Sequence, residues 1–394
     1  MLQLKNYQVH IENEQIDEQA IQINESFLSI AGKRFHHVWL RDHCLCSQCY
    51  RTGAFQKLFD ISDHPNPPHP KSVKIQNDHV VIDWQENPPH RSVFSLSRLL
   101  NHVYDNGVGE RVHQSVLESQ LTQKKVLWDS ETIKANTQHR IQFKSSTLNS
   151  IIDQIDSLGF ALLRNLPWEI LGDFLATIGP IYQLGRNGDY STVKATQNPQ
   201  DLSYEGWALA PHTDLTYMPA PRVVQILYCV ENQSSGGESV LVDGYRVVQD
   251  FRIQHPEYFR VLSEKSVQFR EFSVGWGYFL SHSTPILKLD QSGDISDIFF
   301  CHKNFDLELP FDDVKTFYDA YRTFAQYLKN PIYQYWFRLE PGDCLMVQNF
   351  RILHGRGMFD PSSGNRHLEV AYMEWIYYFG LRNFHKVKPL YDAP

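Results

Sequence analysis

Trp207-Ala-Leu-Ala-Pro-His-Thr-Asp-Leu-Thr-Tyr217 sets an imidazole and a carboxylate two residues apart, just after the strand-breaking Pro211. Extended or irregular backbone can turn both side chains onto one metal ion. A third donor comes from a distant stretch, Gln348-Asn-Phe-Arg-Ile-Leu-His-Gly-Arg-Gly357, which carries His354 and is followed by Arg366. Two histidines and one carboxylate on one face of a metal leave the other face open, an arrangement that suits non-haem Fe(II) oxygenases. The run after the first pair, Val223-Val-Gln-Ile-Leu-Tyr-Cys-Val230, reads as a strand.

The dipeptide pattern alone discriminates little. With 18 His and 45 acidic residues in 394, chance gives roughly two His-x-Asp/Glu patterns. The chain holds four: His10/Glu12, His212/Asp214, His255/Glu257 and His367/Glu369. Only His212/Asp214 uses Asp, follows a Pro and precedes a strand-like run, so it is the pair expected to hold a metal.

Composition bounds the rest. A hydrophobic share of 42% and a charged share of 21% are those of a globular protein with material for a large core and room for two domains. The net charge of −8 argues against nucleic acid as a partner, because phosphate needs a basic face. No apolar run approaches the length of a membrane span. The N-terminal residues Met1-Leu-Gln-Leu-Lys-Asn-Tyr7 lack a signal-peptide core or an Arg-rich transit pattern. The expectation is a cytoplasmic protein without a membrane partner.

Residues 1–105 form a unit of short alternating runs, with Val73-Lys-Ile75 and His79-Val-Val-Ile-Asp-Trp84 reading as a hairpin and Ser95–Tyr104 as a helix. Residues 106–145 are polar and weakly patterned, which predicts a surface linker. A second domain, 146–394, opens with a helix apolar at Leu148, Ile151, Ile152, Ile155 and Leu158, ended by Gly159. The strand Phe160–Leu163 and a helix from Pro167 to Ile178 follow. From Val223 onward the pattern is mostly short strands, with one helix near Val314 to Leu328. The predicted fold class is α+β, mainly β: a double-stranded β-helix (jelly roll) with flanking helices, plus a small β-rich N-terminal module.

Within that module lies Trp39-Leu-Arg-Asp-His-Cys-Leu-Cys-Ser-Gln-Cys-Tyr50. Three thiols at Cys-x-Cys-x-x-Cys spacing supply three corners of a tetrahedral zinc site, with an imidazole as the usual fourth. His43 is too close in sequence, and His64, His69 and His90 are the alternatives. Free thiols in a reducing compartment are the other reading of the cluster. Cys229, Cys301 and Cys344 are scattered through apolar stretches and read as small buried hydrophobes.

Taken in order, several motifs resemble the 2-oxoglutarate-dependent oxygenases of the taurine dioxygenase superfamily, in the branch of the γ-butyrobetaine and trimethyllysine dioxygenases. They are Trp39-Leu-Arg-Asp42 with the Cys cluster, Leu127-Trp-Asp-Ser130, Gly159-Phe160, His212-Thr-Asp214, Gly236-Gly-Glu-Ser239 with Val242-Asp-Gly244, Asn349–Arg356 and Arg366-His-Leu-Glu369. The resemblance implies Fe(II) on His212, Asp214 and His354, with 2-oxoglutarate and O2 as cosubstrates and ascorbate as reductant. It implies that Arg366 pairs with the distal carboxylate of 2-oxoglutarate, which a guanidinium fork suits, and that Ser239 hydrogen-bonds the same molecule. It assigns a structural Zn(II) to Cys44, Cys46, Cys49 and His90.

The implied activity is hydroxylation of an unactivated C–H bond in a small zwitterionic, quaternary-ammonium or amine substrate, with release of succinate and CO2. In this branch an aromatic cage holds the cationic head by cation–π attraction. By position the cage falls on Tyr204, Tyr372, Asn187 and Ser191, with Tyr190 beside the last. Two of the four are not aromatic, which leaves an aminoalkylphosphonate as an alternative substrate. His302, Lys303 or Asn304 would then face an acidic group. Desaturation or cyclisation is an alternative outcome on the same iron, and a non-catalytic metal-dependent binding protein is a rival from another class. The resemblance also implies a homodimer.

Overall fold

The computed structural model describes residues 21–51, 56–64, 66–101, 125–136, 139–144, 148–182, 191–194, 206–219, 222–273 and 277–391. The chain divides into two compact units, Met1–Thr122 and Gln123–Pro394.

In the first unit the predicted hairpin is the centre of a three-stranded antiparallel sheet, Pro70–Gln76, His79–Trp84 and Arg91–Ser95. Gln76 pairs with His79 across a two-residue loop, Asn77-Asp78, in which both residues have positive φ (48° and 58°). That backbone matches the twist of a tight hairpin, and Asn and Asp adopt it more cheaply than other non-glycine residues. Val80, Ile82 and Trp84 alternate inward and meet Leu28, Ile30, Phe35, Leu40 and Phe94 in one core. The predicted helix is described over Leu96–Asn101; residues 102–104 lie outside the described residues.

The second unit is a jelly roll. Its larger sheet runs in the order Ile181–Tyr182, Arg366–Glu374, Val223–Asn232, Cys344–Gln348, Phe160–Arg164 and Arg140–Gln142, with Ser191–Lys194 also paired to Arg366–Glu374. Its smaller sheet runs Leu209–His212, Ile352–Arg356, Ser239–Asp243 and Gln334–Phe337. Phe160, Leu162, Leu345 and Val347 of the large sheet meet Leu241, Tyr335, Phe337 and Ile352 of the small one. The alternate residues Ala161, Leu163, Val224 and Ile226 pack with Ile151, Ile155, Leu171 and Tyr378 from helices Leu148–Leu158, Trp168–Ala176 and Trp375–Tyr391. A sheet covered on both faces reads as a continuous apolar run, which is the pattern of Val223–Val230. The scattered cysteines Cys229, Cys301 and Cys344 are buried and free. No helix among the described residues is long and apolar enough to cross a membrane.

Two sequence expectations need correction. Part of the linker expected over 106–145 belongs to the jelly roll: Trp128 is fully buried, its indole N–H donates to the Leu158 carbonyl at 2.7 Å, and Arg140–Gln142 is a strand parallel to Phe160–Arg164. An edge strand and a one-sided helix, Ser130–Ala135, bury few side chains and so leave a polar sequence. The C-terminal half is also more helical than its sequence predicts. Helices Gly244–Gln254, Pro256–Glu264 and Trp375–Tyr391 accompany the expected one, which spans Phe311–Lys329.

The small sheet is pinned by a buried ion pair. Arg351 donates to Asp243 through Nε (3.1 Å) and Nη2 (2.8 Å), and both side chains are fully buried. Replacing Asp243 by Ala would strand the guanidinium. We expect Asp243→Ala to cost about 3–5 kcal/mol, measured by urea unfolding, against less than about 1.5 kcal/mol for the volume-conserving core swap Leu162→Met.

Candidate metal centres and active site

His212 ends its strand opposite His354, its register partner on the neighbouring strand. The rings lie 4.6 Å apart between centroids. The approach of the two strands requires Gly355, since a Cβ there would lie 2.5 Å from the Leu209 carbonyl oxygen. His212 Nδ1 sits 2.8 Å from the Ala210 carbonyl, which fixes the proton on Nδ1 and turns the Nε2 lone pair to the site.

Asp214 is held by its main chain. The Asn349 side chain accepts from the Asp214 amide and donates to the Asp214 carbonyl, both at 2.8 Å. The next residue, Leu215, has a φ of 59°, a strained conformation costing about 1–3 kcal/mol that the surrounding bonds must maintain. The Asp214 carboxylate then lies between the imidazoles, Oδ1 at 3.3 Å from His212 Nε2 and Oδ2 at 3.4 Å from His354 Nε2. One donor atom from each of the three residues falls within 4.8 Å of the others. Burial opposes ionisation of Asp214, but the adjoining His354 and His212 outweigh it and hold the carboxyl well below its ordinary range. Burial pushes His354 down, with Asp214 pulling the other way. A carboxylate flanked by two imidazoles is the donor set of a divalent metal ion.

Arg366 opens the strand Arg366–Glu374, opposite Asn232. It is buried, and its Nε has no hydrogen-bond partner among the described residues. Burial pushes its pKa down to about 10, against the opposing influence of Cys229. A buried guanidinium without a carboxylate facing it is fitted for an anionic ligand. Gly237 allows this placement, since a Cβ there would stand 3.2 Å from Arg366 Nε. Ser239 follows on the small sheet, buried and paired with Arg356 and Phe337.

The residues expected to line the substrate pocket divide. Tyr372 is buried, and its hydroxyl donates to Asp214 Oδ2 at 2.7 Å. Ser191 pairs with Val370 and so shares a sheet face with Tyr372, two residues along the same strand. Asn304 accepts a 3.2 Å bond from Thr216, which joins it to the segment after Asp214. Tyr204, Tyr190 and Asn187 lie outside the described residues. His302 is pushed down by burial and by the nearby His212, while Lys303 has interactions of its own. Of the rival His-x-Glu pairs, His367 and Glu369 bond each other, and Glu369 also accepts from Thr192. His255 sits between two helices, and His10/Glu12 lies outside the described residues.

Sequence reasoning missed Gln225. It is buried in the strand Val223–Asn232 and donates to Asp214 Oδ2, with its Nε2 also 3.2 Å from His354 Nε2. The signal was present, because an amide inside an apolar strand needs a buried partner.

In the first unit Cys44, Cys46, Cys49 and His90 converge. Their sulfurs lie 3.3, 3.9 and 3.5 Å from His90 Nε2. Zn–S and Zn–N bonds of about 2.3 and 2.05 Å at the tetrahedral angle give roughly 3.6 Å for this separation. The rival histidines meet other rings: His43 stacks on Trp39, His64 packs tilted against Phe59, and His69 lies edge-on to His37. Burial pushes the Cys44 thiol up and that of Cys49 up to about 12, the latter against the Arg41 guanidinium. Burial would raise Cys46 too, but the Gln48 and Cys49 amides hold it below its ordinary range.

A jelly roll carrying two imidazoles, a carboxylate and a buried guanidinium with no carboxylate partner among the described residues suits a metal-dependent oxygenase that takes an anionic cosubstrate. Residues 119–372 match the taurine catabolism dioxygenase TauD, TfdA family, and residues 11–100 match the γ-butyrobetaine hydroxylase-like N-terminal family. The chain belongs to the TauD, TfdA family and is a 2-oxoglutarate-dependent dioxygenase. It is 28% identical to the γ-butyrobetaine dioxygenase of Pseudomonas sp. (strain AK-1), over 86% of this chain and 87% of that one. It is 26% identical to the mitochondrial trimethyllysine dioxygenase of Bos taurus, over 86% and 80%. The human γ-butyrobetaine dioxygenase is 26% identical, over 86% and 87%.

The close contact at Gly355 makes a simple test of the site's scaffold. Gly355→Ala is expected to push the His212 and His354 strands apart and to cost about 1–3 kcal/mol, read from the thermal midpoint.

Proposed function

We propose that the protein hydroxylates a small zwitterion carrying a quaternary ammonium or amine group, similar to γ-butyrobetaine, with release of succinate and CO2. The observation that carries this reading is the convergence of His212, Asp214 and His354 in a fold that also keeps Arg366 without a carboxylate partner among the described residues. His212, Asp214 and His354 hold Fe(II), and Arg366 with Ser239 binds the distal carboxylate of 2-oxoglutarate. Bound there, Fe(II) with 2-oxoglutarate and O2 supplies the oxidising power for C–H hydroxylation, with ascorbate keeping the metal reduced. The chain's own task is to orient the substrate carbon and keep water out.

The relatives named for γ-butyrobetaine and trimethyllysine support a trimethylammonium-type head group. The aromatic ring of Tyr372 beside the Asp214 carboxylate supports it too, since both attract a cation. Asn304, tied to Thr216, is suited to the substrate's acidic end. Tyr204, Tyr190, Asn187 and Ser191 complete the proposed pocket. The reading includes a homodimer in the cytoplasm, and the exposed Ile376, Tyr377 and Phe384 of the C-terminal helix support an association surface.

The test is succinate release from 2-oxoglutarate with Fe(II), ascorbate and O2 across γ-butyrobetaine, trimethyllysine, other betaines and aminoalkylphosphonates. One trimethylammonium or amine zwitterion is expected to stimulate succinate and gain one oxygen in equal amount. Asp214→Ala abolishes turnover. Arg366→Met raises the KM for 2-oxoglutarate roughly ten- to hundred-fold, the worth of a lost charged hydrogen bond of about 1.5–3 kcal/mol. Turnover retained by Asp214→Ala would sink the metal assignment, and stimulation by a phosphonate alone would move the substrate class.

Cys44, Cys46, Cys49 and His90 are assigned a structural Zn(II), with no position left open for chemistry. Elemental analysis of the purified protein is expected to find about one zinc per chain. Cys46→Ser combined with Cys49→Ser should remove it and unfold the first unit; zinc unchanged in that variant refutes the assignment.

A further inference from the structure

We propose that Gln225 and Tyr372 form a two-donor clamp on one oxygen of Asp214, so that the carboxylate meets the metal ion through its other oxygen alone. The inference rests on reading His212, Asp214 and His354 as the metal triad and adds two positioning residues to it.

The clamp spans two adjacent strands. Gln225 and Tyr372 are register partners in the pairing of Val223–Asn232 with Arg366–Glu374, so their side chains leave the sheet side by side. Both are buried. Gln225 Nε2 and Tyr372 Oη donate to the same atom, Asp214 Oδ2. Oδ1 makes neither contact and faces His212 Nε2 at 3.3 Å.

The orientation of the amide is chemically determined. Gln225 Oε1 is buried with no partner among the described residues. Exchanging the two ends of the amide would set an acceptor against a carboxylate, which has only lone pairs to offer. Leaving a buried carbonyl unsatisfied costs about 1–3 kcal/mol, so the contact with Asp214 is maintained against a penalty. The same Nε2 lies 3.2 Å from His354 Nε2, so the amide meets both the carboxylate and the second imidazole.

The clamp serves the open face of the site. A carboxylate that coordinates through both oxygens takes two positions on a metal, whereas a facial triad needs one position per ligand to leave room for cosubstrate and O2. Two donors saturating Oδ2 favour the single-oxygen mode. Partners that orient a ligand in this way typically contribute ten- to hundred-fold to metal affinity. A second consequence concerns the pocket: the Tyr372 hydroxyl is committed to Asp214, so only its ring is offered to a substrate.

The test uses metal affinity and spectroscopy, not turnover. Mn(II) is titrated into the full-length, iron-free protein and its free signal followed by EPR. The Co(II)-loaded forms are compared by visible ligand-field absorption. Gln225→Met and Tyr372→Phe keep volume and remove one donor each. Each is expected to weaken Mn(II) binding about ten-fold and to alter the Co(II) spectrum, the double variant by about a hundred-fold, with thermal midpoints of the iron-free, zinc-containing protein near that of the wild type. Tyr372→Phe removes a single oxygen atom and carries the test should Gln225→Met fail to fold. Affinities within two-fold of wild type and an unchanged Co(II) spectrum in both single variants would overturn the clamp. Asp214→Ala separates the two readings. Loss of Mn(II) binding in Asp214→Ala alone leaves the triad standing and removes the clamp, whereas equal binding by wild type and Asp214→Ala removes both.

Discussion

The buried pair of Arg351 and Asp243 anchors the small sheet, because the placement of His354 and the hold on Asp214 depend on the strands and the turn it joins. Asp243 closes the strand Ser239–Asp243, and Arg351 immediately precedes Ile352–Arg356. Burying two charges is expensive, and the cost is recovered only when each remaining lone pair and N–H finds a partner. Here they do. Asp243 also accepts from the Trp128 and Tyr245 amides, while Arg351 donates to the Val126 and Ser157 carbonyls. One ion pair therefore fixes the register of the small sheet, the end of the helix Leu148–Leu158 and the segment at 126–128. His354 sits three residues beyond Arg351, so its position inherits that register.

The same logic explains how the site holds a carboxylate in a buried place. Asp214 follows a strand end, where the ladder no longer constrains the chain, and Leu215 turns into the left-handed region directly after it. The Asn349 side chain supplies the missing constraint by acting as a short strand partner, one donor and one acceptor to a single residue. Asn349 lies two residues before Arg351, so the hold on Asp214 and the ion pair arise from the same turn. Ligands distant in sequence are thus fixed by one local structure.

What the sequence revealed follows from how strongly each element is constrained. Val223–Val230 and Phe160–Leu163 were legible because strands buried on both faces leave continuous apolar runs. The convergence of His212, Asp214 and His354 was legible because the proposed metal face calls for these residue types in a suitable context, and that of the cysteine cluster because its spacing is short. The helix Trp375–Tyr391 was not, since its opening Trp-Ile-Tyr-Tyr-Phe has the aromatic and β-branched composition of a strand. Tertiary packing of Tyr378, bonded to the Ile152 carbonyl, and of Arg382, paired with Asp156, overrides that local preference. Trp128 was hidden for the opposite reason, as one large side chain among polar neighbours gives no periodicity. Gln225 reads locally as a buried amide in need of a partner and Asn349 bonds a residue far away in the chain, and in neither case does a local pattern name Asp214 as that partner.

Arg366 shows what a buried charge means when its surroundings are compared with those of its kind. Arg41 faces Glu86, Arg351 faces Asp243 and Arg382 faces Asp156, while Arg356 donates to the Trp207 carbonyl. Arg366 has the ring of Phe359 at 5.3 Å and, among the described residues, no carboxylate in reach. A guanidinium buried for structural reasons alone would be more stable with a counter-ion or replaced by an apolar side chain of similar volume. The lack of a carboxylate partner among the described residues fits a counter-ion that arrives from outside the chain. In the proposed reading the dicarboxylate cosubstrate of the family would meet that requirement, with one carboxylate for the metal and the other for Arg366. The stability forgone at Arg366 in the unliganded protein would then be recovered as binding energy when the anion enters.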